Sequence, residues 1–558
     1  MIKRFSPERL IAKIVNFLCS YPFHLFLIGI GIGLRFNQYL INHPLGLDET
    51  YVAIQTLART WEEIFSFYRH PNTQPLAPLY FYVLVKSLVL LLGNNEYVLR
   101  LSSFVCSMGS VLLFYRILRK YFDKGVVTLA LAFFVLADSL IRFAGIVKYY
   151  SLDVFVSLTL IYFCEKYLWQ REIKPKTWLW WGVLGSMAIW TSYGSIFILT
   201  GIGLVLFFKN RHEARQRLFV VGMGMMWFLN FFILSKASLR FMTSSQRLLQ
   251  MWDDYKHAFL PASATFLTFI IWVKDAVLNM FVNPGGMLFP VLGLIIFIVG
   301  LIVVFFKNRT RFYFYLSWFL LLLTMAALRK FPFYGRMLLF FIPIVYIVIA
   351  EGLVFLIKQR PPWGTGVAAG IIMVLLANPL YKAGYHLTHN RYQDCSNSNF
   401  LLKIFKEKYV PGDFIFINNY AFFPICYYGQ QLNIFHLMPK KAIYLNRGGW
   451  GIFYTIEMAR FATSLIPENL QVPVMEFDRL LFLMNPKGFY RGALMKSLHY
   501  VSDETRYFFP KKRTWLLLID TPRNEADFIL SFFKNNGVLI DSFVHKGDGI
   551  YLFEKREK

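Results

Sequence analysis

Long apolar stretches recur along most of this 558-residue chain and constrain its fold more than any other feature. Several approach or reach the length that a helix needs to cross about 30 Å of hydrocarbon. The clearest are residues 23–41, 99–114, 125–141, 287–306 and 337–357. Charged residues make up only 16% of the chain, against roughly 25% in soluble domains. The sequence therefore predicts an α-helical, polytopic membrane protein.

Basic residues are in large excess and give a formal net charge of +27. They are clustered in short loops between apolar runs, a pattern that indicates membrane topology rather than a nucleic-acid-binding surface. Loops rich in Lys and Arg stay on the cytoplasmic side of a membrane. The basic clusters lie at residues 3–13, 116–124, 166–176, 209–217, 307–311 and 358–360.

Each cytoplasmic cluster must be joined to the next by an exit and a return, which predicts about eleven spans. They are residues 22–41, 98–116, 125–143, 153–168, 177–192, 194–208, 218–235, 286–306, 312–328, 337–357 and 365–382. This threading places the N-terminus in the cytoplasm and the residues after about 385 outside the cell's inner (plasma) membrane. The chain shows no internal repeat.

Two apolar segments do not fit the alternation of cytoplasmic and outer loops. Residues 76–92 carry Lys86 in mid-run, and residues 265–282 are interrupted by Lys274 and Asp275. A lysine at the bilayer centre costs roughly 2.5–3.5 kcal/mol. We therefore expect both segments to form helices that lie in the outer interface or pack inside the protein, within outer loops 42–97 and 236–285.

The composition changes after about residue 385 to that of a soluble domain. Strand-like runs are predicted at 414–417, 515–519, 538–543 and 550–553, with helices at 400–408 and 525–533. The predicted organisation is thus a transmembrane domain of residues 1–384 and a small extracytoplasmic α/β domain of residues 385–558. Cys395 and Cys426 can form a disulfide outside the cytoplasm or remain two free thiols.

An acidic pair, Asp48 and Glu49, follows the first predicted span directly. One carboxylate near a membrane surface can act as general base toward an acceptor hydroxyl, while its neighbour orients it or helps to hold a cation. The simpler alternative is that both acids stabilise the N-terminus of the helix predicted after them. The residues alone leave both interpretations open.

Other polar residues lie at the predicted outer ends of spans. His70, in a proline-rich part of the first outer loop, is a candidate metal ligand or hydrogen-bond donor, or simply a solvated side chain. Lys148 and Asp153 are five residues apart at the start of the fourth span. Lys148 can simply extend its side chain to the membrane interface, but Asp153 would still need a partner for its charge.

The loop of residues 329–336 carries three cations on the side that positive charge normally avoids. Arg336 directly precedes a span, where its planar guanidinium can hold a lipid phosphate by two hydrogen bonds. An interface anchor is the alternative, although lysine would serve that purpose equally well.

In their order and sidedness, these features resemble the GT-C superfamily of membrane glycosyltransferases, in particular the family 39 group related to protein O-mannosyltransferases and aminoarabinose transferases. The likeness covers nearly the whole chain. It is carried by the acidic pair, by His70-Pro71 with residues 78–80, and by residues 100–103 (RLSS), 148–153 (KYYSLD), 192–197 (SYGSIF), 331–336 (FPFYGR), 411–413 (PGD) and 427–428 (YY).

The resemblance implies a GT-C-like fold and transfer of a sugar from a polyprenyl-phosphate donor to a lipid, glycan or protein acceptor at the outer membrane surface. Asp48 would be the general base and Glu49 its catalytic neighbour. Lys148 and Arg336 would neutralise the donor phosphate, with His70, Tyr150 and Asp153 as further substrate-binding residues. If a divalent cation takes part, the ligand candidates are Glu49, His70 and Asp153.

Two rival functions are open to such a sequence. A transporter or lipid flippase would place ionisable residues near mid-span and often contain inverted repeats, whereas the acids here lie at span ends. A non-catalytic membrane scaffold would present the external domain to partners and would not need Asp48.

Overall fold

The fold is seen in a computed structural model of the chain. The structure describes residues 13, 15–65, 77–168, 173–236, 252–253, 257–261, 263–358, 363–388, 398–410, 413–418, 421–432, 442–444, 480–483, 513–519, 521, 523–545 and 547–555. His70 and Cys395 lie outside these residues, as does the side chain of Cys426.

Helices dominate the first 388 residues, and a helix occurs in every segment predicted to span. In chain order they are α1 (Tyr21–Leu40), α2 (Leu47–Ala58), α3 (Trp61–Phe65), α4 (Leu79–Leu92), α5 (Glu96–Tyr121), α6 (Lys124–Leu136), α7 (Asp138–Arg142), α8 (Tyr150–Phe163), α9 (Pro175–Thr191), α10 (Ser195–Lys209), α11 (Ala214–Leu234), α12 (Phe266–Val282), α13 (Pro290–Lys307), α14 (Arg309–Ala327), α15 (Ile342–Lys358) and α16 (Trp363–Thr388). Short 3-10 turns cover Phe143–Gly145 and Gly335–Leu338, and α8 continues as a π-helix over Cys164–Leu168.

Several of these helices can cross a membrane, as the apolar runs predict. By length and composition, five described helices suffice, or six if α6 and Asp138–Gly145, bent by 54°, form one broken span. The polytopic helical class is thereby confirmed. The larger count, about eleven from the alternation of charged loops, stays a prediction.

Glycines allow two of the most apolar helices to approach each other closely. A Cβ atom added at Gly300 of α13 would lie 1.9 Å from the carbonyl oxygen of Val348 in α15. One added at Gly352 of α15 would lie 2.5 Å from the carbonyl oxygen of Ile296. Small residues bring helix backbones together in this way in membrane proteins, where packing rather than water exclusion drives association.

The break between α6 and α7 is stabilised by a buried arginine from α1. The guanidinium of Arg35 donates to the carbonyl oxygens of Phe134 and Val135, each at 3.2 Å, and to the Ser107 hydroxyl at 3.0 Å. These carbonyls lie in the last turn of α6, where helix geometry leaves acceptors without partners. Arg35 therefore satisfies backbone groups that apolar surroundings would otherwise penalise.

Ion pairs join loops that the charge pattern assigns to a common side. Arg311 contacts the Glu165 carboxylate at 2.7 and 2.9 Å, while Lys307 contacts Glu351 at 2.7 Å and Asp123 at 3.2 Å. Lys358 reaches the same Asp123 at 3.3 Å. The loops near residues 123, 165, 309 and 358 therefore share one end of the helical bundle.

The two segments that do not fit the alternation are also helices, α4 and α12, as predicted. In α4, Phe81 and Val85 are buried, whereas Leu90, Leu91 and Leu92 are exposed. In α12, Lys274 and Asp275 pair with each other at 3.2 Å on an exposed surface. An interfacial position remains a prediction for both helices.

The chain divides into two compact units. One, called the bundle unit, comprises residues 1–41, 76–84 and 100–390. The other, called the tail unit, comprises residues 42–75, 85–99 and 391–558. Segments of the first outer loop thus belong to the same unit as the C-terminal region.

The tail unit contains the predicted α/β domain. Its C-terminal elements are α17 (Ser398–Lys408), β1 (Phe414–Asn418), α18 (Phe422–Gln431), β2 (Ala442–Tyr444), β3 (Leu480–Leu483), β4 (Arg513–Leu518), α19 (Arg523–Asn536), β5 (Gly537–His545) and β6 (Asp548–Lys555). The sheet order is β2-β3-β1-β4-β6-β5. The first four strands are parallel to one another, β6 is antiparallel to β4, and β5 is antiparallel to β6. The sequence predicts four of these strands and misses the short β2 and β3.

The core of this domain forms between the sheet and α17. Trp515 of β4 is fully buried, packs edge-on against Phe405 of α17 at 5.4 Å, and donates its indole N–H to Asp413 at 2.9 Å. Asp413 also pairs with Arg513 at 3.1 Å. The acid that follows Pro411-Gly412 in the sequence therefore anchors the entry to the sheet.

Candidate active site

The two acids of the first outer loop lie in the first turn of α2 but differ in their surroundings. Glu49 is buried, and its carboxylate accepts a hydrogen bond at 3.3 Å from the backbone N–H of Gly46, the residue before the helix. Asp48 is exposed. Glu49 thus has the helix-capping role that the simpler interpretation predicts, while Asp48 presents its carboxylate at the surface of the tail unit.

The segment 148–153 forms a compact polar and aromatic cluster in the bundle unit. Lys148, Tyr149, Tyr150 and Asp153 are each buried to at least 95%. The carbonyl oxygen of Lys148 accepts a hydrogen bond at 2.8 Å from the hydroxyl of Ser103 in α5. Two sequence motifs, residues 100–103 and 148–153, are therefore in direct contact.

Asp153 lies in the first turn of α8, where the helix dipole favours a negative charge. The hydroxyl of Ser192, at the C-terminal end of α9, lies beside it. The Oδ1 atom of Asp153 has no hydrogen-bond partner among the described residues. A buried carboxylate oxygen in this state is able to accept a hydrogen bond from a ligand.

Tyr149 connects the charged members of the cluster. Its ring packs edge-on against Phe81 and Tyr193, with ring centres 6.4 and 5.6 Å away. Burial raises the pKa of the Tyr149 hydroxyl well above its usual value, and the nearby acidic groups, including Asp153, add to this effect. The positive charge of Arg336 opposes it. Tyr149 therefore lies in the field of both Asp153 and Arg336.

Arg336 is placed on this cluster by a tight turn. Gly335 before it has a φ of +47°, which disfavours any residue with a Cβ atom. The Arg336 guanidinium lies 5.6 Å from the ring centre of Tyr150 and 5.8 Å from that of Trp252. Cations held over aromatic rings in this way are stabilised by the ring quadrupole.

A second cation of the same loop has a different role. Arg329 forms an ion pair with Asp253 and donates to the carbonyl oxygen of Leu260 at 3.3 Å. The backbone N–H of Phe333 donates to the carbonyl of Ala258 at 3.1 Å. These contacts attach the loop of residues 329–336, called the arginine loop, to Asp253, Ala258 and Leu260.

The hairpin of residues 192–197 supports the cluster from another side. Phe197 packs against Phe331 at 4.8 Å and Phe340 at 6.0 Å. A Cβ atom at Gly194 would approach the Phe340 ring to 2.6 Å, so the hairpin requires a glycine here. The hairpin that carries Ser192 therefore packs directly against the arginine loop.

The structure brings four of the predicted site residues into one unit: Lys148, Tyr150, Asp153 and Arg336. Asp48 and Glu49 belong to the tail unit, and His70 lies outside the described residues. Ser103, Ser192 and Trp252 are members of the cluster that the sequence does not single out as site residues. Only the recurrence of serines in the motifs 100–103 and 192–197 points toward the first two.

No group of three or more His, Cys, Asp or Glu side chains able to hold a metal ion occurs within the part of the chain that the structure describes. Of the candidate ligands, Asp153 has an available oxygen, while Glu49 caps α2. The third candidate ligand, His70, lies outside the described residues, so a divalent cation stays a prediction and no reaction step is assigned to one.

A bundle of apolar helices with a buried Lys-Tyr-Asp cluster and an arginine loop, followed by an α/β domain, has the organisation that the resemblance to GT-C-type membrane glycosyltransferases implies. The family comparison agrees: residues 70–235 match the family model described as dolichyl-phosphate-mannose-protein mannosyltransferase. This match confirms the resemblance carried by the motifs and includes the segment 148–153. No curated protein sequence matches the chain.

Among solved structures, the chain is similar to ArnT from Cupriavidus metallidurans bound to undecaprenyl phosphate, with 10% identity and a TM-score of 0.49 over 96% of this chain and 98% of that one. It is also similar to the Archaeoglobus fulgidus oligosaccharyltransferase in complex with Zn and sulfate, with 11% identity and a TM-score of 0.48 over 94% of this chain and 72% of that one.

Proposed function

We propose that this protein transfers a glycosyl group from a polyprenyl-phosphate-linked sugar to an acceptor hydroxyl at the outer face of the inner (plasma) membrane. The observation that carries the proposal is the family-model match over residues 70–235, which includes the buried cluster of Lys148, Tyr150 and Asp153. The charge pattern supports the sidedness, because it assigns the cluster to the end of the spans opposite the basic loops.

In this reaction the acceptor oxygen attacks the anomeric carbon of the donor sugar as a base removes its proton. The bond between that carbon and the phosphate oxygen breaks, and the polyprenyl phosphate leaves with the electron pair. Asp48 takes the proton, and its exposure in the structure leaves its carboxylate accessible to an acceptor.

The departing phosphate gains negative charge as the bond breaks, so the transition state is stabilised by fixed positive charge. Lys148 and Arg336 provide it. Tyr150 holds the Arg336 guanidinium by the cation–π contact, and Asp153 accepts a hydrogen bond from a sugar hydroxyl through Oδ1. Glu49 maintains the start of α2 and thereby the position of Asp48.

The test uses the purified full-length protein in liposomes that contain radiolabelled undecaprenyl-phosphate mannose, with membrane extract as a source of acceptors. Release of free undecaprenyl phosphate is measured, and other undecaprenyl-phosphate sugars are then tried in place of mannose. We expect turnover with one of them, and its loss in Asp48→Asn and Arg336→Ala.

Matched control variants distinguish the loss of a site residue from the loss of any exposed charged residue. Asp275→Asn removes an exposed acid of α12, and Lys330→Ala removes an exposed cation of the arginine loop. Both should retain full turnover. Absence of turnover with every donor would contradict the proposed activity and favour a scaffold, while unchanged turnover in both site variants would contradict the residue assignment.

A further inference from the structure

The helix that carries the acidic pair is fixed at both ends by residues that the sequence motifs do not assign to the reaction. Leu45, directly before the turn into α2, is fully buried, and its backbone N–H donates to the hydroxyl of Tyr428 at 2.5 Å. Tyr428 is itself fully buried, in α18 of the C-terminal region. A buried N–H at this position would be costly without a partner, and no helix bond is available before the first turn.

The contact is part of a wider packing of α18 against α2 within the tail unit. Ile425 and Tyr427 of α18 are buried, and the rings of Tyr427 and Tyr428 meet edge-on at 5.0 Å. The neighbouring hydroxyl of Tyr427 points to a different segment and lies 3.5 Å from the amide oxygen of Asn94. Of these adjacent tyrosines, Tyr428 is therefore the one bonded to the chain just before Asp48.

The other end of α2 is fixed by Lys86, the residue that argues against a membrane span at residues 76–92. The ammonium group of Lys86 donates to the backbone carbonyls of Arg59 and, at 3.4 Å, Thr56. It also lies 5.7 Å from the ring centre of Trp61. A cation at a helix C-terminus satisfies the last carbonyls and interacts favourably with the helix dipole. Lys86 thus has a structural partner for its charge.

We propose that Tyr428 is a positioning residue for Asp48, so that a helix of the C-terminal α/β domain holds the start of the helix that carries the base. The proposal rests on the proposed function, in which Asp48 is the base. Tyr428 fixes the chain three residues before Asp48, and Lys86 fixes the far end of the same helix. With both ends held, the backbone that carries Asp48 keeps one position. A displacement of about 1 Å in a catalytic group can reduce a rate a hundredfold.

The experiment compares Tyr428→Phe with Tyr427→Phe in the full-length protein, because each removes one hydroxyl from adjacent residues of one helix. The first measurement is hydrogen exchange of the peptide containing residues 45–50. We expect exchange of the Leu45 amide to accelerate about fivefold in Tyr428→Phe and to stay unchanged in Tyr427→Phe, since one lost hydrogen bond is worth roughly 1 kcal/mol.

The second measurement is release of undecaprenyl phosphate from the donor that the wild-type protein uses. Tyr428→Phe should lower kcat about tenfold while KM for the donor stays within twofold, because the residues proposed to bind the donor lie outside α2. Lys86→Met should act in the same direction, with Lys86→Arg restoring most of the rate. Tyr427→Phe should leave both kinetic constants unchanged.

The outcomes distinguish a failure of the positioning role of Tyr428 from a failure of the proposed role of Asp48 as base. Unchanged exchange of residues 45–50 in Tyr428→Phe would overturn the positioning role whatever the activity. Accelerated exchange with unchanged kcat would also overturn it, provided that Asp48→Asn abolishes turnover. If Asp48→Asn retains turnover, the assignment of the base fails first, and accelerated exchange then leaves Tyr428 as a structural residue only.

Discussion

The guanidinium of Arg336 lies 5.6 Å from the ring centre of Tyr150, two residues after Lys148 and three before Asp153. This contact joins the last motif of the helical bundle to the second predicted outer loop, although more than 180 residues separate them in the chain. It also explains why an arginine suits this position, because a guanidinium stacks on aromatic rings while its edge remains able to bind a phosphate.

The stacking predicts that Arg336→Lys will not substitute for the native residue. Lysine keeps the charge but loses the planar contact and the paired hydrogen bonds to phosphate. We expect kcat/KM for the polyprenyl-phosphate donor to fall about tenfold, equivalent to about 1.4 kcal/mol, and to fall further in Arg336→Ala. Steady-state release of undecaprenyl phosphate measures both. A lysine variant with wild-type kinetics would show that charge alone is required.

The bond from Ser103 to the Lys148 carbonyl predicts a loss of stability in Ser103→Ala. Its removal leaves a buried carbonyl without this donor, at a cost of about 1 kcal/mol in the free energy of unfolding. Thermal unfolding in detergent measures the effect. Thr191→Ala is the control, since this exposed hydroxyl bonds only within its own helix and its loss should change stability by less than about 0.5 kcal/mol.

The close approach of α13 and α15 predicts that Gly300→Ala is strongly destabilising. The added Cβ atom would lie 1.9 Å from a backbone oxygen, so the two helices would have to separate. We expect a loss of about 3 kcal/mol or no folded protein, since backbone cannot move aside as a side chain can. The control is Gly29→Ala in α1, where no atom lies within 4 Å. That variant should keep its folded yield and unfolding temperature.

Asp123 predicts a specific response to acid. The hydrogen bond from Lys307 lowers the pKa of Asp123 below its ordinary value of 3.8, with Lys358 adding to the effect. A carboxyl with a lowered folded-state pKa stabilises the protein above its unfolded pKa, and this contribution disappears as pH falls through the folded value.

Asp123→Asn should therefore lower the unfolding temperature at pH 6 and make progressively less difference below about pH 4. The loss should stay under about 1 kcal/mol, because the pair is about half exposed and screened by solvent. Thermal unfolding from pH 6 to pH 3, with the wild type as reference, checks this. A difference that grows on acidification would contradict the pairing.

Much of the fold follows from local sequence patterns. The helices appear where apolar runs predict them, because a chain in hydrocarbon must satisfy its backbone hydrogen bonds within each segment. Four strands of the α/β domain are predicted for a similar reason, since alternating or continuous apolar residues fit a covered sheet. Strands β2 and β3 have only three and four residues and are held by pairing with neighbours, which a local pattern does not reveal.

The sequence by itself determined which residues are candidates for the chemistry: Asp48, Lys148, Asp153 and Arg336 stand out by charge, position and motif order. Only the tertiary structure decided how each is held. It pairs Arg329 with Asp253, uses Glu49 as a cap, and joins Tyr428 to Leu45 across more than 380 residues. Such contacts form when packing brings together segments that are far apart in the chain. No periodic pattern in the local sequence reveals them.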